Sequence, residues 1–397
     1  MKILITSDWY EPAVNGVVTS VVNLRRELLK LGHEVRILTL SRNGLSFQKN
    51  DVTYIGSLGA GRIYPGARIR TALGSKYIEE LLGWQPDIIH SQCEFSTFFM
   101  ARRIAKKLGI PIVHTYHTVY EDYTHYFLLN EKWGKALVGA FSRSILNRTQ
   151  CVIAPTEKVS ILLHGYGITR EIRVVPTGID LQRFTTPLKK AEKAAARRRL
   201  GIPETDKVLL FVGRLAKEKN LEEIISFLAR INNTGITLLV VGDGPNRSCL
   251  ESFARKMKVA HKILFAGMVP PEEVADYYRV GDIFVSASNS ETQGLTYVES
   301  LACGLPALCR KDPCLDEVII DGVNGWQYST YEQFCVGLGA VFQSEAGYRD
   351  LSANAKAHAV NHYSSAAFAA KIEDAYTILV RESQQEHERC FVVSPAR

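Results

Sequence analysis

Short apolar runs alternate with segments of helical periodicity along most of the chain. The first apolar run covers residues 2–6, and apolar residues then recur at helical spacing from Val18 to Leu31, where Gly32 ends the pattern. A second apolar run covers residues 34–40. Alternating buried strands and amphipathic helices are typical of a parallel sheet covered by helices on both faces. The pattern therefore predicts an α/β fold.

The alternation occurs in two series, separated by a pause at residues 176–180 and a further break at Pro187. The predicted strands of the first series continue at residues 87–91, 110–115, 151–155 and 172–176, and those of the second lie at residues 208–212, 237–241, 263–266, 283–286 and 305–309. We predict two doubly wound domains, residues 1–180 and 181–364, and expect a helix at about residues 365–397 to cross back onto the first. Because ligands bind outside the carboxyl ends of such strands, we expect the two domains to face each other across a cleft.

Composition is that of an ordinary globular protein. Of the 397 residues, 46% are hydrophobic and 22% are charged, which excludes long disorder. The sequence has no apolar run near the roughly 18 residues of a membrane-spanning helix, and its start lacks the pattern of a signal peptide. The cysteines form no CxxC motif and no cluster with histidine, which indicates reduced thiols in a cytoplasm and no zinc site.

The net charge of +7 is carried by residues 1–180, and the rest of the chain is neutral. This asymmetry indicates an anionic partner for the first domain, either nucleic acid or an anionic membrane surface, although a solubility bias would give the same charge. The sequence shows no nucleic-acid-binding module, basic helix motif or aromatic platform with RNA-type spacing. We therefore expect no nucleic acid partner.

The polar segment after one strand of the second series carries the most candidate chemistry. Here a helix is predicted to begin near Gly294, and the backbone N–H groups of Gln293, Gly294 and Leu295 would bind an anion at its positive end. Glu291 and Glu299 place two carboxylates beside that site. Such a combination suits a ligand with phosphates and hydroxyls, which is a sugar nucleotide. The alternative is that Glu291 caps the helix and Glu299 is solvated.

Other strand-to-helix turns add candidate ligand contacts. Gly213 is followed by Arg214 and Lys219, two cations that could neutralise a diphosphate, unless the loop is simply solvated. In the first domain, Gly16 closes a turn where the backbone could approach a ligand closely, although such turns are often only turns. The turn at residues 242–245 is predicted to be structural.

An aromatic segment follows the fourth predicted strand. Residues 114–126 contain four tyrosines and three histidines, among them His117. Aromatic faces with polar tips suit the binding of a sugar or a lipid headgroup. A single histidine at this place could equally be a core residue, but the density of the cluster favours a function.

Two segments of the first domain are candidates for membrane contact. Residues 124–148 form an amphipathic helical stripe with basic flanks, and residues 61–70 form a basic, aromatic loop. Interfacial helices bury such a stripe among lipid headgroups, although a helix packed on the sheet would show the same pattern. The residues assigned to this surface are Arg62, Arg68, Arg70, Lys132, Trp133, Lys135, Phe141 and Arg143.

Together, these motifs resemble glycosyltransferase family 4, a family of retaining enzymes with the GT-B fold of two facing Rossmann-like domains. The resemblance covers nearly the whole chain and is carried by Glu291 and Glu299 in E-x7-E spacing, by Arg214 with Lys219, by the Asn15-Gly16 turn and by residues 174–180. Residues 114–123 are similar to those of bacterial diacylglycerol glucosyltransferases, which make membrane glycolipids and lipoteichoic-acid anchors.

The resemblance implies a role for each candidate. In the donor site of the second domain, Arg214 and Lys219 would bind the diphosphate, Glu299 the ribose, the backbone of Met268 and Val269 the base, and Glu291 with the amides of Gln293, Gly294 and Leu295 the sugar and phosphate. In the first domain, Gly16 would approach the diphosphate and His117 the transferred sugar, while Tyr120, Tyr123, His125 and Tyr126 would bind the acceptor. We name His117, Glu291, Arg214 and Lys219 as the catalytic group.

The resemblance implies a retaining hexosyltransferase that moves glucose from a UDP-sugar to a lipid acceptor, diacylglycerol, at the inner face of the cell membrane. The chain has no Asp-x-Asp motif, and GT-B enzymes replace the metal with cations and a helix dipole, so we expect no metal and no other cofactor. One alternative is a galactosyl- or mannosyltransferase acting on a glycosylated lipid, a polyprenyl or a soluble acceptor. Another is an inactive subunit that only binds the nucleotide sugar.

Overall fold

The computed structural model describes residues 1–13, 15–42, 44–59, 68–70, 75–117, 131–231, 235–288, 291 and 293–392, and only the backbone at residues 131–135, 387 and 389–392. The chain divides into two compact units, Met1–Gly178 with Ser365–Arg397, and Ile179–Ser364. The division falls near the pause in the sequence pattern.

The first unit is built on a mainly parallel sheet. Its strands are β1 (Lys2–Thr6), β2 (Glu34–Ser41), β3 (Phe47–Lys49), β4 (Val52–Gly56), β5 (Leu58–Gly59), β6 (Arg68–Ile69), β7 (Ile88–Ser91), β8 (Ile112–Thr115), β9 (Cys151–Ala154) and β10 (Glu171–Val174). Its order is β10-β9-β8-β7-β1-β2-β4-β3, with β3 antiparallel to β4, while β5 and β6 pair separately. The chain leaves β1 toward β2 and later returns on its other side to β7, so a topological switch point lies between β1 and β7.

Helices of the first unit are α1 (Gly16–Lys30), α2 (Lys76–Trp84), α3 (Ser96–Leu108), α4 (Glu131–Leu146) and α5 (Glu157–Gly165). Helix α1 begins where the Asn15 side chain accepts a hydrogen bond from the Val18 amide at 2.9 Å, a typical N-cap. Leu24 and Leu28 of its apolar stripe are fully buried in the core beside β1 and β2, whereas Leu31 at the end of the stripe is exposed. The helix ends before Gly32, whose φ of 85° requires glycine, as the sequence predicted.

The second unit contains a fully parallel six-stranded sheet in the order β13-β12-β11-β14-β15-β16. Its strands are β11 (Lys207–Val212), β12 (Ile236–Val241), β13 (Ile263–Gly267), β14 (Ile283–Ser286), β15 (Ala307–Arg310) and β16 (Gly325–Tyr328), and its helices are α6 (Gln182–Thr185), α7 (Lys190–Arg199), α8 (Leu221–Arg230), α9 (Arg247–Lys256), α10 (Val274–Val280), α11 (Leu295–Ala302), α12 (Tyr331–Val341) and α13 (Glu345–Tyr363). Successive residues alternate between its two cores, with Leu209 in one and Leu210 in the other.

The last helix, α14 (Ser365–Val392), returns to the first unit. Phe368, Ile372 and Tyr376 are buried in the same core as Ile3 and Ile5 of β1. This confirms the predicted crossing helix and the predicted doubly wound α/β fold. Some elements have no counterpart in the predicted pattern, because their apolar runs are short or interrupted by polar residues. These elements are β3, β4, β5, β6, β16, α2, α6, α12 and α13.

Candidate functional site

The carboxyl edge of the second sheet brings two strand-to-helix turns into close contact. A Cβ atom at Gly242 would lie 1.9 Å from the carbonyl oxygen of Gly213, and one at Gly244 would lie 2.4 Å from that of Leu215. Neither approach is possible for any other residue type. The turn at residues 242–245 therefore supports the turn after β11, in agreement with the structural role predicted for it.

The turn after β11 carries both predicted cations. Arg214 is exposed, and its guanidinium makes no hydrogen bond or ion pair with the described chain. Lys219 ends the short 3-10 turn Lys217–Lys219, and its Nζ lies 2.7 Å from Oε1 of Glu291. The side chains of this ion pair are 23% and 12% exposed. The fold thus brings Lys219 and Glu291 together from distant parts of the sequence, with Arg214 open to a ligand nearby in the same turn.

Helix α11 begins beside this ion pair. Its N-cap is Gly294 with a φ of 68°, and an added Cβ would lie 2.9 Å from Cδ2 of Leu315. The backbone N–H groups of Gly294 and Leu295 donate to no other group in the described ranges. Gln293 is buried and has a partner of its own. Two of the three predicted amide donors are therefore available to an anion at the positive end of α11.

Glu299 is the fifth residue of α11, just over one turn from its start, and is partly buried. Burial raises the pKa of its carboxyl group. The hydroxyl of Tyr278 donates to its Oε2 at 2.9 Å, while Oε1 accepts no hydrogen bond from the described residues. The alternative of a solvated Glu299 is therefore wrong, because Tyr278 holds one oxygen and leaves the other for a ligand.

The predicted base contacts follow β13 at the same edge of the second sheet. Met268 is 78% exposed, whereas Val269 is partly buried against the core of the second unit. An exposed apolar side chain directly after a strand end can cover a planar base. Both residues directly follow the end of β13, and their contact with the base stays a prediction.

In the first unit, Gly16 is the first residue of α1. A Cβ atom added there would meet no atom of the described chain within 4 Å. Its φ does not lie in the left-handed region. The fold itself therefore does not require glycine at this position, which favours a reason outside the chain.

His117 follows β8 at the carboxyl edge of the first sheet. Its Nε2 lies 2.6 Å from Oε1 of Gln92, which follows the neighbouring strand β7. Burial lowers the pKa of His117 to about 4, so the imidazole is neutral at pH 7. The predicted acceptor residues Tyr120, Tyr123, His125 and Tyr126 lie outside the described residues.

The sequence analysis missed three buried polar residues that follow strands of the first sheet, Asp8, Gln92 and Glu94. The Asp8 carboxylate accepts hydrogen bonds from the amides of Ser96 (3.2 Å) and Thr97 (2.8 Å) at the start of α3. Burial raises the pKa of Asp8 to about 6. Glu94 lies 3.2 Å from Nε2 of His114, and both are buried. Asp8, Gln92 and Glu94 each follow a buried strand closely, so the rule that singled out His117 would have found them.

The predicted basic loop is partly a strand, because β6 pairs with β5. Arg68 donates to the hydroxyl and the carbonyl of Ser57, each at 2.7 Å, and Arg70 donates to the carbonyl of Gly56 at 2.6 Å. Arg68 therefore lies in a short strand and not in the predicted loop, and both arginines are held by hydrogen bonds. Their predicted contact with a membrane stays a prediction. Arg62 lies outside the described residues, as do the side chains of Lys132, Trp133 and Lys135.

In the described part of α4, some residues of the predicted apolar stripe are buried and others are exposed. Ile145 is buried in the core of the first unit, and Phe141 packs partly against it and stacks on Phe95 with ring centroids 5.8 Å apart. Leu137 is 63% exposed, and Arg143 is exposed as well. The end of α4 therefore packs on the sheet, whereas Leu137 faces away from it.

Neither a spanning helix nor a metal site is present in the described residues. None of their helices is long and apolar enough to cross a membrane. Within the same ranges, no three or more His, Cys, Asp or Glu side chains are grouped to hold a metal ion.

Comparison with known proteins gives full-length matches. Residues 14–183 match "Glycosyltransferase Family 4" and residues 192–358 match "Glycosyl transferases group 1". The alpha-monoglucosyldiacylglycerol synthase of Streptococcus pneumoniae is 34% identical over 380 residues, covering 95% of this chain and 85% of the relative. The enzyme of the same name from Acholeplasma laidlawii is 32% identical over 397 residues, covering 97% and 99%. Among solved structures, Anabaena HepE in complex with UDP-glucose has a TM-score of 0.66 at 15% identity and covers 96% of this chain and 100% of its own.

Proposed function

The chain belongs to glycosyltransferase family 4 and has the two-domain GT-B fold, and on this premise we propose that it transfers glucose from UDP-glucose to diacylglycerol at a membrane. The names of the two synthases support the sugar and the acceptor. The nucleotide sugar bound to HepE supports the donor. The observation that carries the proposal is the grouping of Lys219, Glu291 and two N–H groups at the start of α11 that donate to no described residue.

Each side of this grouping suits one part of a nucleotide sugar. Lys219 and the exposed Arg214 supply positive charge for the diphosphate, with the amides of Gly294 and Leu295 as further donors. Glu291, held by Lys219, would accept hydrogen bonds from hydroxyls of the sugar. Tyr278 orients Glu299 so that its Oε1 can accept from the ribose. The donor would thus be bound by cations and backbone amides without a divalent metal.

The chemical step exchanges one bond at the anomeric carbon. The bond from this carbon to the diphosphate oxygen breaks, and a bond to the acceptor hydroxyl oxygen forms. We propose attack from the same face with retention, so that the hydroxyl proton passes to the departing phosphate oxygen. Negative charge grows on that phosphate in the transition state, and each fixed donor aimed at it typically contributes about 3–4 kcal/mol. Lys219, Arg214 and the α11 amides would supply these donors.

A lipid acceptor is supported by an exposed apolar surface on the first unit, where Phe95 stacks on Phe141 of α4 and Leu137 lies one turn earlier on that helix. Phe95 is 45% exposed and Leu137 is 63% exposed. We call this area the α3–α4 surface. Phe95 immediately precedes α3 at the carboxyl edge of the sheet, the edge that also carries His117. With the net positive charge of residues 1–180, this surface suits reversible contact with anionic lipid at the cytoplasmic face of the membrane.

A donor screen tests the proposal. The purified chain is incubated with diacylglycerol in mixed micelles and, separately, with UDP-glucose, UDP-galactose or GDP-mannose, each with and without EDTA. We expect α-glucosyldiacylglycerol from UDP-glucose alone, at rates that EDTA does not change. Transfer only from another donor would favour the galactosyl or mannosyl alternative. Nucleotide binding without turnover would identify an inactive subunit, and loss of turnover with EDTA would contradict the metal-free mechanism.

A further inference from the structure

Gln92 holds the His117 ring from one side. It directly follows β7, and its backbone N–H donates to the carbonyl of Thr6 at 2.8 Å, which fixes the backbone of Gln92 to the neighbouring strand β1. The side chain is buried, with 2% of the residue exposed, and its Oε1 lies 2.6 Å from Nε2 of His117. Because an amide oxygen can only accept, this hydrogen bond requires a hydrogen on Nε2.

We propose that Gln92 is a positioning residue that keeps His117 in the Nε2–H tautomer, so that Nδ1 accepts a hydrogen bond from a substrate hydroxyl. This inference rests on the proposed function and on the contact of His117 with the transferred sugar that the family resemblance implies. Within the described chain, Nδ1 of His117 has no hydrogen-bond partner. The ring is therefore anchored through one nitrogen and offers the other.

A neutral partner suits this task better than a carboxylate. The groups that act on the charge of the ring are Glu94, which raises its pKa, and His114, which lowers it, while burial dominates and holds the pKa at about 4. His90, whose own pKa burial keeps low, also faces this ring. A carboxylate at position 92 would favour the imidazolium, which donates from both nitrogens and cannot accept. Glutamine fixes the tautomer without adding charge.

The cost of this arrangement indicates a function. Nε2 of Gln92 is buried and makes no hydrogen bond with the described residues. A buried donor without a partner destabilises the folded chain. Leucine of similar size would avoid that cost but would give His117 no acceptor. The presence of a glutamine at this buried position is therefore better explained by its hydrogen bond to the His117 ring than by a contribution to the stability of the fold.

Ring nitrogen shifts measured by 15N NMR test the tautomer without an activity assay. The His117 signals are assigned by their absence in His117→Gln. At pH 7 we expect a protonated Nε2 and an unprotonated Nδ1 in the full chain, and a mixture of tautomers in Gln92→Leu. Gln150→Leu is the matched control, because Gln150 accepts from the Ile112 amide at 2.8 Å and does not touch His117. An Nδ1–H tautomer in the wild type, or unchanged shifts in Gln92→Leu, would overturn the proposal.

Gln92→Glu keeps the size and the acceptor, so it remains informative if Gln92→Leu does not fold. Its added charge should raise the midpoint of the His117 titration by at least about one pH unit, and turnover should then fall toward low pH where the wild type stays active. In glucosyl transfer, Gln92→Leu should lower kcat by about 10- to 100-fold. Wild-type turnover in Gln92→Leu would refute the positioning role. A wild type with the expected tautomer but no glucosyl transfer would refute the proposed function instead.

Discussion

At the scale of single residues, Lys219 provides the most direct test of the donor site. Lys219→Ala should lower kcat/KM by at least about 100-fold, because the departing phosphate loses one fixed positive charge. The free energy of unfolding should change by less than about 1 kcal/mol, since the ion pair with Glu291 is partly exposed to solvent. Initial rates of glucosyl transfer and urea unfolding measure the two effects.

Lys217 supplies the control for this variant, because it is exposed in the same 3-10 turn. Lys217→Ala removes an equal charge and should keep wild-type rates. If Lys219→Ala is folded and as active as Lys217→Ala, the assignment of the diphosphate to this turn is wrong.

A substitution at Gly16 tests the effect on folding and the effect on substrate contact separately. Gly16→Ala should keep or slightly raise the melting temperature, because alanine favours a helix by about 0.5–1 kcal/mol and its methyl group meets no described atom. The same methyl group should lower kcat/KM at least about tenfold if a diphosphate approaches this backbone closely. Gly339→Ala, which also fills open space on a helix, should leave the rate unchanged. Normal turnover in Gly16→Ala would remove Gly16 from the donor site.

At the scale of elements, the start of α3 depends on a carboxylate from another strand, and this makes its stability depend on pH. Burial raises the folded-state pKa of Asp8 from 3.8 to about 6. Between these values the folded chain binds more protons at Asp8 than the unfolded chain does, so the contribution of Asp8 to stability increases as the pH falls. The ionised form of Asp8, which predominates at pH 7, is the form that burial disfavours.

Asp8→Asn removes this dependence. The free energy of unfolding of the wild type relative to Asp8→Asn should therefore rise by about 1 kcal/mol between pH 7 and pH 5. Urea unfolding at several pH values measures it. Glu80→Gln, the same change at an exposed position of α2, should show a constant difference from the wild type. A constant difference for Asp8→Asn as well would mean that the carboxyl group is not perturbed.

The elements also show how far the sequence could predict the molecule. Buried parallel strands such as β1 and β12 were predictable, because strands covered on both faces are continuous apolar runs. The edge strand β16 was not, since it begins with glycine and contains a glutamine. Residues at strand ends, such as Lys219, could be selected by chemistry. Their pairing could not, because the bond between Lys219 and Glu291 spans 72 positions and exists only in the folded sheet.

At the scale of the whole molecule, the first unit carries both the net positive charge and the exposed apolar surface that binding to an anionic membrane would need. The net charge of +7 belongs to residues 1–180, and the α3–α4 surface lies on the same unit. Leu137 of this surface is 63% exposed, and Val336 on α12 of the second unit is 70% exposed. The two residues expose a similar fraction of an apolar side chain, but Leu137 lies on the positively charged unit and Val336 on the neutral one.

Vesicle sedimentation compares them. The full chain should bind vesicles rich in anionic phospholipid at low ionic strength and be released as salt rises, because screening weakens attraction beyond about 8–10 Å at physiological salt. Leu137→Ser should weaken binding severalfold, since it removes apolar area from the interface, whereas Val336→Ser should not. Equal binding by both variants would mean that the membrane contact lies elsewhere on the chain. If the full chain does not sediment with vesicles even at low salt, the chain does not bind a membrane surface and takes its lipid acceptor from micelles.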